Sequence, residues 1–275
     1  MTDLVVRRLL IDLETPIARH WAGGDAFRSA YLNALSMSFP VGEQFFIDAV
    51  RLGFKALPPG QQARFQAEVQ GFVGQEATHR RIHGLFNGHL ERLGYENRWA
   101  VRAAARIARI REFDVRHHLA VTAAYEHFTA ILAEHMLARP EQMAGAEPRL
   151  QTMWQWHAAE ESEHKSTAFD LYQALGGNYL WRMRWFRIAT TYFVIDSLRQ
   201  TATNLRHDGL LFKWSTWRSG FSFFFGRGGL VRECFKPWRG YFRRDFHPSQ
   251  QESGRSQQWL REHAGQYTVV GQATV

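Results

Sequence analysis

The sequence predicts an all-α fold, a four-helix bundle followed by additional C-terminal helices. Apolar residues recur with the 3.6-residue period of helices over long segments, and the alternation of apolar and polar residues typical of strands is nearly absent. Glycine and proline separate these segments, as in Leu57-Pro58-Pro59-Gly60. With 275 residues, of which 45% are hydrophobic, the chain is long enough to bury a substantial core.

The helical segments follow one another with short breaks. In chain order the predicted segments are 24–56, 61–93, 98–111, 113–137, 149–175 and 179–205. Phe39-Pro40 is expected to kink the first segment, because proline cannot donate a backbone hydrogen bond. Beyond Asp208, glycines, aromatics and arginines predict shorter helices and loops, with a weak helix at Gln257 to His263. We therefore expect a helical bundle over residues 1–207 and a basic, aromatic extension over residues 208–275, packed on the same domain.

A glutamate followed by a Glu-x-x-His motif occurs once in each half of the chain. Residues three apart share one helix face, so each motif directs a carboxylate and an imidazole the same way. The candidate metal ligands in chain order are Glu43, Glu76, His79, Glu126, Glu161 and His164. The pattern predicts that these side chains meet inside the bundle.

The positions of the turns support this convergence. If the first turn is centred near Pro59, Glu43 and Glu76 both lie about 25 Å from it along their helices, at about 1.5 Å per residue. They are then level in an antiparallel hairpin. A second turn near Gly145 brings the glutamates of the second half level in the same way. The two halves thus resemble an internal repeat that donates the same ligands twice.

The residue types suit a pair of metal ions. Two divalent cations bring four positive charges into the interior, which four carboxylates would balance, and neutral imidazoles would complete the coordination. Hard carboxylates with imidazoles favour iron, with manganese as the alternative, and the lone Cys234 lies far away in sequence. A single Glu-x-x-His motif is commonly a solvated pair. Two motifs, each matched by a glutamate among apolar neighbours, favour a dimetal site.

Further polar residues lie near the motifs. His157 precedes the second motif on the same helix face, and His83 follows the first by one turn. Each is either a further ligand or a hydrogen-bonding partner of a ligand. The alternative for both is a core histidine with satisfied hydrogen bonds. Glu160 and Glu163 are expected off the metal face, and Glu134-His135 is expected at the surface or beside a ligand.

These motifs resemble a known group of proteins. The chain is similar to the bacterial family described as predicted metal-dependent hydrolases, which is ferritin-like, and its ligand order resembles ferritin-like di-iron carboxylate proteins. The segments that carry the resemblance are Phe39–Glu43, Gln75–His79, Tyr125–His127, Glu161–His164 and Tyr241–Pro248. The ligand pattern is also similar to di-iron arylamine N-oxygenases, which carry one more histidine a turn before the last motif. That resemblance implies His157 as a seventh ligand.

Three functions are compatible with this site. The leading hypothesis is an O2-dependent oxygenase or oxidase that holds two iron ions, takes O2 as cosubstrate and electrons from a donor, and acts on an apolar or lipid-like substrate. The second is a dimetal hydrolase of esters or phosphates. The third is a metal-binding, membrane-associated protein without catalysis. No catalytic residue beyond the metal centre is assigned.

Charge and composition indicate the surroundings of the protein. The net charge is +8 and the sequence pI about 10.0, which favours anionic partners. One cysteine and the absence of an apolar stretch of about 20 residues favour a cytoplasmic protein. Aromatics beside cations toward the C-terminus suit an anionic membrane surface, or else they pack the end of the bundle. No nucleic-acid-binding motif is present, and the oligomeric state is left open.

Overall fold

The all-α fold is confirmed by a computed structural model that describes residues 4–251 and 254–271. In chain order the helices are α1 (Ala26–Ala56), α2 (Pro59–Arg92), α3 (Arg98–Ile110), α4 (Val115–Ala138), α5 (Pro148–His164), α6 (Thr167–Ala174), α7 (Tyr179–His207), α8 (Trp214–Phe225), α9 (Leu230–Gly240) and α10 (Gly254–Glu262). Short 3-10 turns lie at Pro140–Met143, Pro248–Gln250 and Ala264–Gln266. Strands β1 (Arg7–Leu9) and β2 (Tyr267–Val269) pair antiparallel.

Two helical hairpins form the centre of the fold. α1 packs along α2 and α4 packs along α5, and the hairpins meet through contacts of α1 with α4 and of α2 with α5. Asp25 and Asp114 start α1 and α4 by accepting a hydrogen bond from a backbone N–H of the first turn. The apolar residues form two clusters, and along α2 Phe72 belongs to one and Phe86 to the other. The stretch of α2 between them carries the first Glu-x-x-His motif.

The proline in α1 is accommodated within a continuous helix. Pro40 has no N–H, so the carbonyl of Ser36 lacks its usual partner four residues later. The side-chain Nδ2 of Asn87, on α2, donates to that carbonyl at 2.9 Å. Asn97 Nδ2, just before α3, donates to the next carbonyl, that of Met37, at 2.7 Å. The side chain of Asn87 therefore supplies the hydrogen bond that the proline withholds, and Asn97 adds one to the neighbouring carbonyl.

The predicted helix over 149–175 is two helices in the structure. α5 ends at His164, the chain turns at Lys165 and Ser166, and α6 begins at Thr167. α6 then packs against α4 and α1. The break falls directly after the last predicted ligand, so the second motif occupies the final turn of α5.

The remaining elements cover the bundle. α7 packs along α1 and α4, α8 lies on α1, α9 on α4, and α10 on α5 and α4. β1 contacts α2, and the segment just before β1 lies close to Gly71 of α2, where an added Cβ would lie 2.4 Å from the Cβ of Leu4. Among the residues that the structure describes, no helix combines the length and the apolar character that crossing a bilayer requires.

Candidate metal centre

Four helices bring the predicted ligands to one place between the two apolar clusters. α1 supplies one glutamate, α4 another, and α2 and α5 each supply a Glu-x-x-His motif. All of these side chains are buried, with exposed fractions of 4% or less. The buried set is Glu43, Glu76, His79, Glu126, His157, Glu161 and His164. The structure thus gathers the six predicted ligands and the additional histidine of α5.

The two motifs form the first ligand group. Glu76, His79, Glu161 and His164 each present one ligand atom, and these atoms lie within 4.8 Å of one another. Oε1 of Glu161 lies 3.4 Å from Nδ1 of His79 and 3.7 Å from Nε2 of His164. One cation could therefore contact both motifs.

A second ligand group lies beside the first and shares His79 with it. Glu43, His79 and His157 present ligand atoms within 4.8 Å of one another. Nε2 of His157 lies 2.8 Å from Oε1 of Glu161 and 3.9 Å from Oε1 of Glu43. Because both groups include the imidazole of His79, two cations held there would be neighbours, with the one free nitrogen of His79 bound to one of them.

Glu126 approaches the site from α4 but belongs to neither group. Its Oε2 lies 2.9 Å from Nδ1 of His164, and its side chain is fully buried. Its other oxygen has no hydrogen-bond partner within the described residues. In the structure Glu126 therefore contacts the site through His164, with one oxygen free to bind a metal.

The donor set fits metal ions, because many of its buried polar atoms lack partners. Within the part of the chain that is described, the buried atoms without a hydrogen bond include both carboxylate oxygens of Glu43 and Glu76, one each of Glu126 and Glu161, Nδ1 of His79 and Nε2 of His164. An unpaired buried polar atom costs about 1–3 kcal/mol, and more when charged. Cations among these atoms would satisfy them together.

Without metal, some buried groups of the site hold protons more strongly than usual, whereas the nearby histidines, against the effect of burial, lower the pKa of Glu161 well below its ordinary value. Burial, together with neighbouring carboxylates, raises the pKa of Glu43 and of Glu76 well above the ordinary value. Burial opposes charging of His79, but the adjacent carboxylates of Glu160 and Glu161 outweigh it and raise its pKa to about 10. Metal ions would therefore displace protons when they bind.

Sequence comparison assigns the chain to a family. The family model described as "Predicted metal-dependent hydrolase" matches residues 5–252. The chain belongs to this family. No curated protein and no solved structure matches the chain significantly. The buried cluster gives this member of the predicted metal-dependent hydrolases a physical basis for its metal dependence.

Glu160, which is expected off the metal face of its helix, contacts the candidate ligand His79 from outside the cluster. Glu160 is fully buried, and its Oε2 lies 3.0 Å from Nε2 of His79. Nη1 of Arg7 donates to the other oxygen of Glu160 at 3.1 Å and to Glu163 at 2.7 Å. The carboxylate orients the imidazole so that Nδ1 faces the cluster, as carboxylates commonly do for metal-binding histidines. Because Arg7 reaches Glu160 from β1, far away in sequence, the spacing of residues within α2 and α5 gives no signal for this arrangement.

A hydrogen-bonded chain holds His157 from the other side. Asn87 Nδ2 donates to the Ser36 carbonyl, so its Oδ1 accepts the Ser36 hydroxyl at 2.8 Å. That hydroxyl must then accept from Nδ1 of His83, also at 2.8 Å. Burial lowers the pKa of His83 well below its ordinary value, so the ring is neutral and its Nε2 accepts from Nδ1 of His157 at 2.6 Å.

This chain leaves Nε2 of His157 with a lone pair directed at the cluster. The reverse direction of hydrogen bonding would leave Oδ1 of Asn87 without a donor. Burial and the nearby His79 lower the pKa of His157 to about 4, which also favours the neutral ring. Nε2 of His157 and Oε1 of Glu161 lie 2.8 Å apart. Because both atoms are then acceptors, a proton or a cation must lie between them. His83 thus contacts a candidate ligand and lies in neither ligand group.

An apolar cavity adjoins the cluster. It has a volume of about 300 Å³, and its walls include Phe39, Phe46, Tyr125, Phe128 and Trp185. The ring of Phe39 also packs on the site, with its centroid 4.6 Å from that of His83 and 4.8 Å from that of His157. A molecule in this cavity would therefore be separated from the histidines by one aromatic ring.

The neighbouring Glu134-His135 pair does not join the site. Glu134 forms an ion pair with Arg255 at the surface, and Nε2 of His135 lies 3.2 Å from Oε1 of Gln142. Glu163 points to Arg7 and not to the ligands. Glu134 is half-buried and His135 is buried away from the ligand groups, so Glu134 offers a matched control for Glu126 on the same helix.

Proposed function

We propose that this protein is a non-haem di-iron enzyme that uses O2 to oxidise an apolar substrate. The observation that carries the proposal is the position of Phe39. Its ring packs on His157 of the buried carboxylate and histidine cluster and also lines an apolar cavity. Carboxylates and imidazoles are ligands that suit iron and, as the alternative, manganese. The seven side chains proposed to hold the metals are Glu43, Glu76, His79, Glu126, His157, Glu161 and His164.

The residues of the chain have separate tasks in this proposal. Two bound iron ions would supply the reduction of O2, and a hydroxylation would consume one O2, two electrons from an external donor and two protons for each oxygen atom inserted. The carboxylates balance the charge of the cations, while Glu160 and His83 orient the imidazoles of His79 and His157. Phe39 and Phe46 keep water away and position an apolar substrate beside the centre.

A dimetal hydrolase is the second candidate, because the family description names hydrolysis. The same cluster would hold two metals, and the substrate would be an ester or a phosphate. The mainly apolar wall of the cavity favours oxidation over hydrolysis, since it offers few groups to bind a polar reaction centre. A protein that binds metal without catalysis is the remaining alternative.

One paired experiment separates these functions. The protein is loaded anaerobically with Fe(II), O2 is admitted with a chemical reductant, and O2 uptake is followed with an electrode. A Zn(II)-loaded sample is assayed in parallel with nitrophenyl esters and phosphates. We expect O2 uptake that Glu126→Ala abolishes and Glu134→Ala retains. Hydrolysis by the zinc form without O2 uptake by the iron form would favour the hydrolase, and inactivity of both loaded forms would leave metal binding alone.

A further inference from the structure

Four aromatic residues on one face of helix α8 are exposed. Trp214, Trp217, Phe221 and Phe225 follow one another at intervals of three or four residues, which places them on one helix face. They are 80%, 43%, 69% and 47% exposed. Helices on the surface of globular proteins normally direct the apolar face inward. The exposed aromatic stripe therefore requires an explanation beyond the fold.

Packing holds α8 in this orientation. Its inner face carries the buried Thr216 and Gly220, and Gly220 lies against Phe27 of α1. A Cβ added at Gly220 would lie 2.6 Å from Cε2 of Phe27, so the close approach requires glycine. Phe223 and Phe224 of the same helix also pack against Tyr31 of α1, so this inner face leaves the other four aromatic residues of α8 exposed.

Neighbouring residues extend the stripe into a surface. Phe212 precedes α8 and is 91% exposed, and Leu198 of α7 lines one groove with Trp214 and Phe221. The groove has a volume of about 390 Å³ and is almost wholly apolar. We call the surface formed by these residues the docking face: Leu198, Phe212, Trp214, Trp217, Phe221 and Phe225.

The chain segment that carries most of the docking face holds only positive side chains, and Asp25 is an anion close to it, where it accepts a hydrogen bond from Ser219 of α8. Residues 209–232 include Lys213, Arg218, Arg227 and Arg232 and contain neither aspartate nor glutamate. All four cations are exposed. A second copy of the chain on this face would bring these cations against their equivalents, which is unfavourable. An anionic surface with an apolar layer beneath it matches both the charges and the rings.

We propose that the docking face binds an anionic lipid surface. Tryptophan and phenylalanine rings would lie at headgroup depth, while lysine and arginine side chains meet the lipid phosphates. Because no described helix can cross a bilayer, the protein would lie on the membrane surface. The docking needs no metal, so it stands apart from the proposed chemistry.

A strip of exposed residues on α7 connects the docking face with the cavity. Tyr192 lines the cavity, Leu198 lines the groove, and Ile195 lies midway between them at three-residue spacing. At about 1.5 Å per residue, Tyr192 and Leu198 are separated by about 9 Å along the helix. If the proposed function holds, an apolar substrate would reach the cavity from the lipid along this strip.

Vesicle flotation with the full-length protein tests the docking. We expect binding to vesicles of phosphatidylcholine with phosphatidylglycerol, little binding to phosphatidylcholine alone, and weakening by salt. Each lysine or arginine near anionic lipid strengthens binding about fivefold, so Lys213→Gln with Arg218→Gln should lower the partition coefficient about 25-fold. Trp214→Ser with Phe221→Ser should lower it about tenfold or more, because less apolar area is inserted.

A matched control removes two exposed apolar residues elsewhere. Leu10 and Leu85 are 54% and 47% exposed and lie outside the docking face. Leu10→Ser with Leu85→Ser should leave vesicle binding within about twofold of the unmodified protein, since these residues contact no lipid. The proposal is overturned if the unmodified protein does not float with phosphatidylglycerol vesicles at low salt, or if the control weakens flotation equally. It is also overturned if Trp214→Ser with Phe221→Ser abolishes a dimer in gel filtration and leaves flotation unchanged.

Discussion

Replacing Ser36 with alanine tests whether the fold prepares His157 as a ligand. The substitution removes the hydroxyl that joins Nδ1 of His83 to Oδ1 of Asn87, while Asn87 keeps its bond to the Ser36 carbonyl. Two buried groups lose their partner, and each such loss costs about 1–3 kcal/mol. We expect the free energy of unfolding of the metal-free protein to fall by about 2–6 kcal/mol.

The same substitution should weaken metal binding at one position of the pair. Without the hydroxyl, His83 can take either neutral tautomer, so Nδ1 of His157 is no longer fixed as the protonated nitrogen. Loss of such supporting contacts typically lowers metal affinity by about 10–100-fold. The ion beside Glu43, His79 and His157 should be affected, and the ion between the two motifs much less.

Chelator competition with Co(II) measures both affinities, and thermal unfolding of the metal-free protein measures stability. Ser38→Ala is the matched control, because that hydroxyl donates only to the Leu35 carbonyl of its own helix, at 2.7 Å. It should change stability by about 0.5 kcal/mol or less and leave metal affinity unchanged. If Ser36→Ala is folded and binds both ions as tightly as Ser38→Ala does, the account of His157 is refuted.

Three further predictions concern the surroundings of the centre. Glu160→Gln should lower metal affinity about tenfold in chelator competition, because His79 loses a charged partner, whereas Glu163→Gln should have little effect. The stability of the metal-free protein, followed by thermal melting, should fall by roughly 1.4 kcal/mol per pH unit between about pH 7 and 9. The reason is that His79 holds its proton in the folded protein to about pH 10 and releases it on unfolding. Constant stability in this range would contradict the prediction. In chemical unfolding, Gly71→Ala should destabilise the protein by about 1–3 kcal/mol, because the added Cβ collides with the N-terminal segment. Gly84→Ala should stabilise the protein by up to about 1 kcal/mol, because an added Cβ meets nothing there. Equal effects of the two substitutions would contradict this packing.

Local spacing explains why the ligand positions could be predicted from sequence. Residues three apart lie on one face of any α-helix, so Glu76 and His79 point together whatever the tertiary structure. Leu57-Pro58 marks the turn between α1 and α2, because proline interrupts the helical pattern. The position of this turn sets where the hairpin reverses and how far from the turn Glu43 lies. These rules depend only on the backbone of one hairpin.

Contacts between distant segments could not be predicted in the same way. Glu160 is off the metal face of its own helix, as expected, but His79 of α2 approaches it from that side. Arg7 reaches Glu160 from β1, across more than 150 residues of sequence. That Pro40 leaves a carbonyl without its helical partner follows from the sequence, whereas the side chain of Asn87 that satisfies this carbonyl comes from another helix. Such partners depend on how the helices are positioned together.

The metal content of purified protein tests the central claim most directly. Protein loaded anaerobically with Fe(II) and separated from free metal should contain two iron ions per chain by elemental analysis. Glu161→Ala should lose both, because this carboxylate contacts both ligand groups, and Glu134→Ala should retain two. A chain that binds no transition metal, or equal metal content in the two variants, would contradict the account.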